Sequence, residues 1–175
     1  MTIAPDLSGW TRDEIRETLD EVRFPVEVAV WHTDNYFNFG AIVRNCHNFL
    51  VKSIHAIDVS MDSGLMYEKA TMGTHKYENI YRHSTEEFLN YLGDRPLIAF
   101  ERRHGLVNED LRYYRYPSNS VLLFGSEKGG VPDVLLRRAD AVVSIPQFGI
   151  HNDMNLSVAV GIVLYDWVSK NVELA

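Results

Sequence analysis

The chain has 175 residues, 46% of them hydrophobic and 23% charged, the composition of one globular domain rather than a disordered chain. Its 17 Lys and Arg against 24 Asp and Glu leave a net charge of −7, so contact with a polyanion needs a local basic patch on an acidic body. No apolar run reaches the ~18–20 residues of a membrane span. A lone Cys excludes an intramolecular disulfide, and the N-terminal stretch lacks the basic and apolar regions of a secretory signal, so a cytoplasmic location is expected.

Residues 1–24 are expected to form a short N-terminal extension. Within it, residues 11–22 read as an acidic helix opened by Thr11 and Glu14 in capping-box spacing. Residues 26–31 (VEVAVW) read as a strand, 38–50 as a helix capped by Asn38, and 53–59 as a second strand. A looser stretch, 60–81, holds a short helix and a short strand. Then come a helix at 85–91, strands at 96–101 and 121–124, and a short helix at 132–138 with Pro in its first turn. A strand at 141–145 precedes the longest helix, 155–170. This alternation predicts a single α/β domain over residues 1–175, with a mostly parallel sheet flanked by helices. Near-continuous apolar strands agree with that. Ligands of such sheets bind beyond the carboxyl ends of strands, which points to the loops after Phe124 and Ile145.

Three segments stand out. In Asn38-Phe-Gly40-Ala-Ile-Val-Arg44, a mid-helix Gly suggests close approach of a backbone or a ligand, with Arg44 one turn beyond on the same face. The plain alternative is a cap and a surface Arg. In Gly125-Ser-Glu127-Lys-Gly-Gly130, a buried strand enters a Gly-rich turn, but neither the dinucleotide fingerprint nor a phosphate loop is present. In Ile145-Pro-Gln-Phe-Gly149 through Asn155-Leu-Ser157-Val-Ala159, a strand, a polar loop and a helix start follow one another. That helix is apolar nearly all round, so it must be covered on several sides, by the sheet alone or also by a second subunit.

In this order and spacing the three segments resemble the SpoU/TrmH family of RNA ribose 2′-O-methyltransferases, of the SPOUT class. The family patterns are N-x-G-x-x-x-R, G-x-E-x-x-G, and I-P-x-x-G followed by (S)-L-N-x-S-x-A. Here they stand as Asn38/Gly40/Arg44, Gly125/Glu127/Gly130, and Ile145/Pro146/Gly149 with Asn155/Ser157/Ala159. The resemblance spans about residues 26–170. It implies a C-terminal trefoil knot, a homodimer, S-adenosylmethionine as cofactor, and RNA as substrate. It places the cofactor on Gly125, Ile145, Met154, Glu101 and Asp153, with Arg44, Asn38, Glu127 and Asn155 as catalytic residues. An Arg with a pKa above ~12 is a poor base, so Arg44 is read as holding the target phosphate or hydroxyl and stabilising developing negative charge; a neutral Arg base is the alternative.

Asp153 departs from the pattern, which has Ser there, and could accept a proton, attract a sulfonium or cap the helix. Arg102, Arg103, Arg112 and Arg115 are the basic candidates for RNA contact, together with Arg44. The run Arg112-Tyr-Tyr-Arg115-Tyr116 interleaves cations with aromatics as single-strand binders do, or else its rings cover the core. The short N-terminal extension favours a compact substrate, tRNA over rRNA. Seven scattered His show no metal spacing, so no metal is expected. Cys46 reads as a structural thiol. A cofactor-binding dimer that docks on RNA without turnover is the competing reading; intact Asn38, Arg44, Glu127 and Asn155 argue against it.

Overall fold

The computed structural model describes residues 7–60, 65–103, 105, 107–150 and 154–173. Helix α1 (Arg12–Val22) starts at the expected cap, where Thr11 and Glu14 satisfy each other's backbone N–H. Strand β1 (Phe24–Trp31), helix α2 (Tyr36–Asn48) and strand β2 (Val51–Ile57) follow. The looser stretch contains helix α3 (Leu65–Thr71) and a 3-10 turn (Thr74–Lys76), and leads into strand β3 (Ile80–His83). Next are α4 (Thr85–Leu92), β4 (Leu97–Phe100), β5 (Glu109–Asp110), β6 (Val121–Phe124), α5 (Asp133–Arg138), β7 (Ala141–Ser144) and α6 (Leu156–Asn171). The two-residue strand β5 has too little apolar pattern to be foreseen. Pro132 caps α5 rather than opening its first turn.

All seven strands run parallel, in the order β3-β2-β1-β6-β4-β7-β5. Strand alternation sorts the core onto two faces. Val28, Val30, Ile98, Phe100, Leu122 and Phe124 point to the face covered by α2, α3 and α6. Ala29, Leu97, Ala99, Val121 and Leu123 point to the face covered by α4 and α5. The late strand β6 lies between β1 and β4, so the order of connection reverses there and the carboxyl ends of β1, β6, β4 and β7 gather around one crevice. Among the described residues, no helix is long and apolar enough to cross a membrane, and no group of three His, Cys, Asp or Glu could hold a metal ion.

Candidate active site

Helix α2 begins one turn earlier than expected. Asn35, not Asn38, is its cap, and the Asn35 Oδ1 accepts the N–H groups of Phe37 and Asn38 at 2.9 and 3.2 Å. This corrects the reading of Asn38 as the start of the helix. Both residues are Asn, and only the backbone hydrogen bonds tell which one satisfies the free N–H groups of the first turn.

Freed from capping, the Asn38 side chain joins all three motifs. Its Nδ2 donates to Glu127 Oε1 at 2.5 Å, and its Oδ1 accepts from Asn155 Nδ2 at 3.0 Å. Asn155 caps α6 with its other end, Oδ1 accepting from the N–H groups of Ser157 and Val158. Thr33, fully buried between β1 and α2, adds a 3.3 Å hydrogen bond to Glu127 Oε1. Sequence reasoning missed Thr33 because a Thr after a strand carries no signal of its partner. Glu127 is exposed, and its second oxygen takes no hydrogen bond among the described residues.

Glycines shape the surroundings. A Cβ on Gly40 would lie 2.5 Å from Ala70, so the close approach is by the backbone of α3, which fills the notch. A Cβ on Gly125 would lie 2.0 Å from the carbonyl carbon of Gly130, where Ser126 and Gly130 pair their backbones to close the turn. Glu101 braces that turn. Its Oε2 accepts the Val131 N–H at 2.7 Å and its Oε1 the Arg102 N–H at 2.8 Å.

Beside this network lies a cavity of about 230 Å³ at the ends of β4, β6 and β7. Gly125, Ile145, Met154 and Glu101 all line it, as does Glu127. Asp153 lies outside the described residues. Phe100, Phe124, Val143 and Leu156 make an apolar floor, and two carboxylates stand at the rim. A flat ring with a polar edge and a neighbouring positive charge suits this lining. A second cavity of about 690 Å³, lined by Trp31, His32, Tyr36, Phe37 and Asn38, shares Ser126 and Glu127 with the first. Glu127 therefore stands where the two meet.

Arg44 lies elsewhere. It is exposed on the outer face of α2, lines neither cavity, and has no ion pair among the described residues. The other basic candidates differ from one another. Arg103 pairs with Asp133 at 2.6 Å and Arg112 forks onto Asp110, while Arg115 is exposed. Of the neighbouring rings, Tyr114 is buried and Tyr116 donates to Asp166 at 2.8 Å, so these two cover the core, and Tyr113 alone is exposed, at 78%, with the Arg112 guanidinium over its ring. Cys46 is fully buried, and burial pushes its thiol well above its ordinary value, as a structural thiol requires.

The chain is 28% identical over 160 residues to a tRNA (guanosine(18)-2′-O)-methyltransferase of Thermus thermophilus, covering 89% of this chain and 80% of that one. Among solved structures it resembles the AdoMet-bound rRNA methyltransferase of Sinorhizobium meliloti, with a TM-score of 0.78 and 28% identity, covering 89% of this chain and 61% of that one. It also resembles the TrmH/SpoU tRNA modifying enzyme of A. aeolicus, with a TM-score of 0.76 and 26% identity over 91% of this chain and 81% of that one. The SpoU rRNA Methylase family matches residues 25–165, most of the chain, with all three motifs inside the match. The chain belongs to the SpoU rRNA Methylase family.

Proposed function

We propose that the protein transfers a methyl group from S-adenosylmethionine to a ribose 2′-hydroxyl of RNA, with tRNA as the substrate class. The observation that carries this is the Glu127–Asn38–Asn155 chain, which ties the three motifs together at the mouth of an apolar, carboxylate-rimmed cavity. The residues present fit the cofactor: Phe100, Phe124 and Leu156 offer a floor for an adenine ring, and Glu101 and Glu127 offer negative charge near a sulfonium. When bound, S-adenosylmethionine supplies an electrophilic methyl on a good leaving group. The chain's own residues then have two tasks, alignment and help for a weakly acidic hydroxyl. Asn38 and Thr33 fix one oxygen of Glu127, which leaves the other to accept the hydroxyl proton or hold its hydrogen bond. The tRNA relatives named above support tRNA as the substrate.

We extend this reading to a homodimer in which Arg44 serves the cavity of a second copy. Helix α6 presents Val158, Ile162 and Tyr165, one stripe at i, i+4 and i+7, away from the core at 51%, 37% and 67% exposure. Phe37 stands 65% exposed on the same face of α2 as Arg44, seven residues before it. In that setting the guanidinium steadies the phosphate and the developing alkoxide. The trefoil knot and a cytoplasmic location belong to the same proposal, supported by the match to the SpoU rRNA Methylase family.

Incubation with methyl-labelled cofactor and bulk tRNA or rRNA, followed by nucleoside mass spectrometry, tests the function. A 2′-O-methyl nucleoside in tRNA is expected; label on a base, or cofactor binding with no label on any RNA, overturns the reading. Arg44→Ala is expected to abolish transfer and spare cofactor affinity. Co-expression of Arg44→Ala with Glu127→Gln is expected to restore activity, since one site of the mixed dimer keeps both residues.

A further inference from the structure

An acidic chain that acts on RNA needs a place to hold a polyanion, and Arg103 and Arg112 are already paired with carboxylates. A different region offers arginines outside any contact ion pair. Helix α1, the 3-10 turn, α3 and β3 border an open cavity of about 330 Å³ lined by Arg12, Arg16, Arg82, His75 and Tyr67. It shares no residue with the two cavities beside Glu127.

The three arginines are aimed by neutral acceptors. Arg12 donates to the Lys76 carbonyl at 2.9 Å, Arg16 to Asn79 Oδ1 at 3.1 Å, and Arg82 to the Val59 carbonyl at 3.3 Å. None of the three has an ion pair among the described residues, whereas Arg23, Arg95, Arg103, Arg112 and Arg138 all do. A neutral acceptor fixes direction without cancelling charge. Glu78 also lines the cavity, but its carboxylate is fully buried and held by Arg23 at 2.8 Å and His47 at 2.7 Å. Tyr67 is 6% exposed, and its hydroxyl donates no hydrogen bond among the described residues.

Local helix physics argues against this placement. Arg12 occupies the first position of α1, where the helix dipole disfavours a cation. Arg16, one turn on, adds like-charge repulsion on the same face, which Asp20 a further turn along offsets in part. The arrangement makes sense once an anion lies between them and Arg82.

We propose that this cavity is a phosphate-binding site that anchors the backbone of the RNA substrate at a distance from the reacting ribose. The proposal rests on the methyltransferase reading for its choice of RNA. The guanidinium fork matches phosphate oxygens, and exposed Arg12 and Arg82 let a phosphodiester chain continue on either side. The anchor lies on a separate flank of α2. Gly40 abuts α3 and Asn45 abuts α6, and five residues turn a helix by about 140°.

The test compares wild type with R12Q/R16Q/R82Q for bulk tRNA. The triple variant is expected to raise KM at least about tenfold and to lower the log–log salt slope of binding by roughly one per arginine. It should leave kcat and cofactor affinity within about twofold. The triple Lys variant, which keeps charge and loses the fork, should fall between. A folded variant with unchanged KM and salt slope overturns the proposal. If thermal melting shows that the triple variant does not fold, R82Q alone decides, since its guanidinium makes one 3.3 Å bond; an unchanged slope there also overturns it. Inorganic phosphate that stabilises the wild type as strongly as tRNA does would assign the site to a free anion and overturn the RNA assignment. If the wild type methylates no RNA, the functional reading fails, while the binding and salt-slope comparison still decides the site.

Discussion

Glu27 lies in β1, and Glu127 lies just beyond β6, the strand paired with it, yet the two carboxylates have opposite surroundings. Glu27 is 3% exposed and saturated with donors: Arg95 at 2.9 Å and Lys52 at 3.5 Å on one oxygen, His55 at 2.9 Å and the Tyr91 hydroxyl at 3.1 Å on the other. His55 passes the network on to His83 at 3.0 Å. Glu127 is exposed and held on one oxygen only, by an amide and a hydroxyl that carry no charge. A buried carboxylate must have its lone pairs filled, ideally by cations, and is then closed to chemistry. A carboxylate at a cavity mouth can be fixed by neutral donors and keep an acceptor for a substrate. Availability here depends on which donors reach the group and not on the residue type.

Substituting each glutamate in turn tests this contrast most directly. Glu27→Gln leaves Arg95 and His55 without their anion and is expected to cost about 3–5 kcal/mol in denaturant unfolding. Activity per folded molecule should not change. Burial alone would raise the Glu27 carboxyl, but the His55 hydrogen bond and the Arg95 charge outweigh it and hold it at about 2. Its folded value thus lies below its unfolded one, so its stabilisation is present above about pH 4.5 and lost as pH falls toward 2. His83, held low by burial and by neighbouring His55, adds a loss of the same sign as pH falls through the ordinary His range. Urea midpoints between pH 7 and 3 should fall less steeply in Glu27→Gln than in wild type.

Glu127→Gln should do the reverse. A drop in kcat of roughly 100- to 1,000-fold is expected with unfolding free energy nearly unchanged; a large stability loss would place Glu127 with Glu27 and break the contrast. Gly40→Ala forces a methyl group against the Ala70 backbone and should cost about 1–3 kcal/mol by thermal melting. Since α2 carries Asn38, activity should fall along with stability. The finest test is Asn155→Asp. Aspartate still caps α6, so stability should stay within about 0.5 kcal/mol, but the donor to Asn38 is gone. A turnover loss of about tenfold, with no change in melting, would separate the network from the cap.

Much of the candidate site was legible: the loops after Phe124 and Ile145 follow strand ends that any parallel sheet would turn into a crevice, and the family resemblance supplied Gly125, Ile145, Met154 and Glu101 within or beside them. The roles were less legible. Asn35 and Asn38 are chemically the same at a helix start, and choosing the cap required seeing Glu127 and Asn155 arrive. Gly40 announced a close approach, but not that α3 makes it. The aromatic and basic run at 112–116 read equally well as RNA contact or core cover, and packing placed Tyr114 and Tyr116 in the core. Arg12, Arg16 and Arg82 gave no signal at all, since they are scattered along the chain and surrounded by acidic residues.

The sequence by itself determined what is local: the alternation of apolar strands with helices, the capping box at Thr11, the Gly-rich turn after β6 and the apolar character of α6. Short-range sterics and hydrogen bonding suffice for these. Tertiary structure alone decided that β6 lies between β1 and β4, and so that Asn38, Glu127 and Asn155 touch. Strand pairing across such separations is chosen by the burial of both sheet faces at once, a collective free energy that no stretch of the chain carries alone.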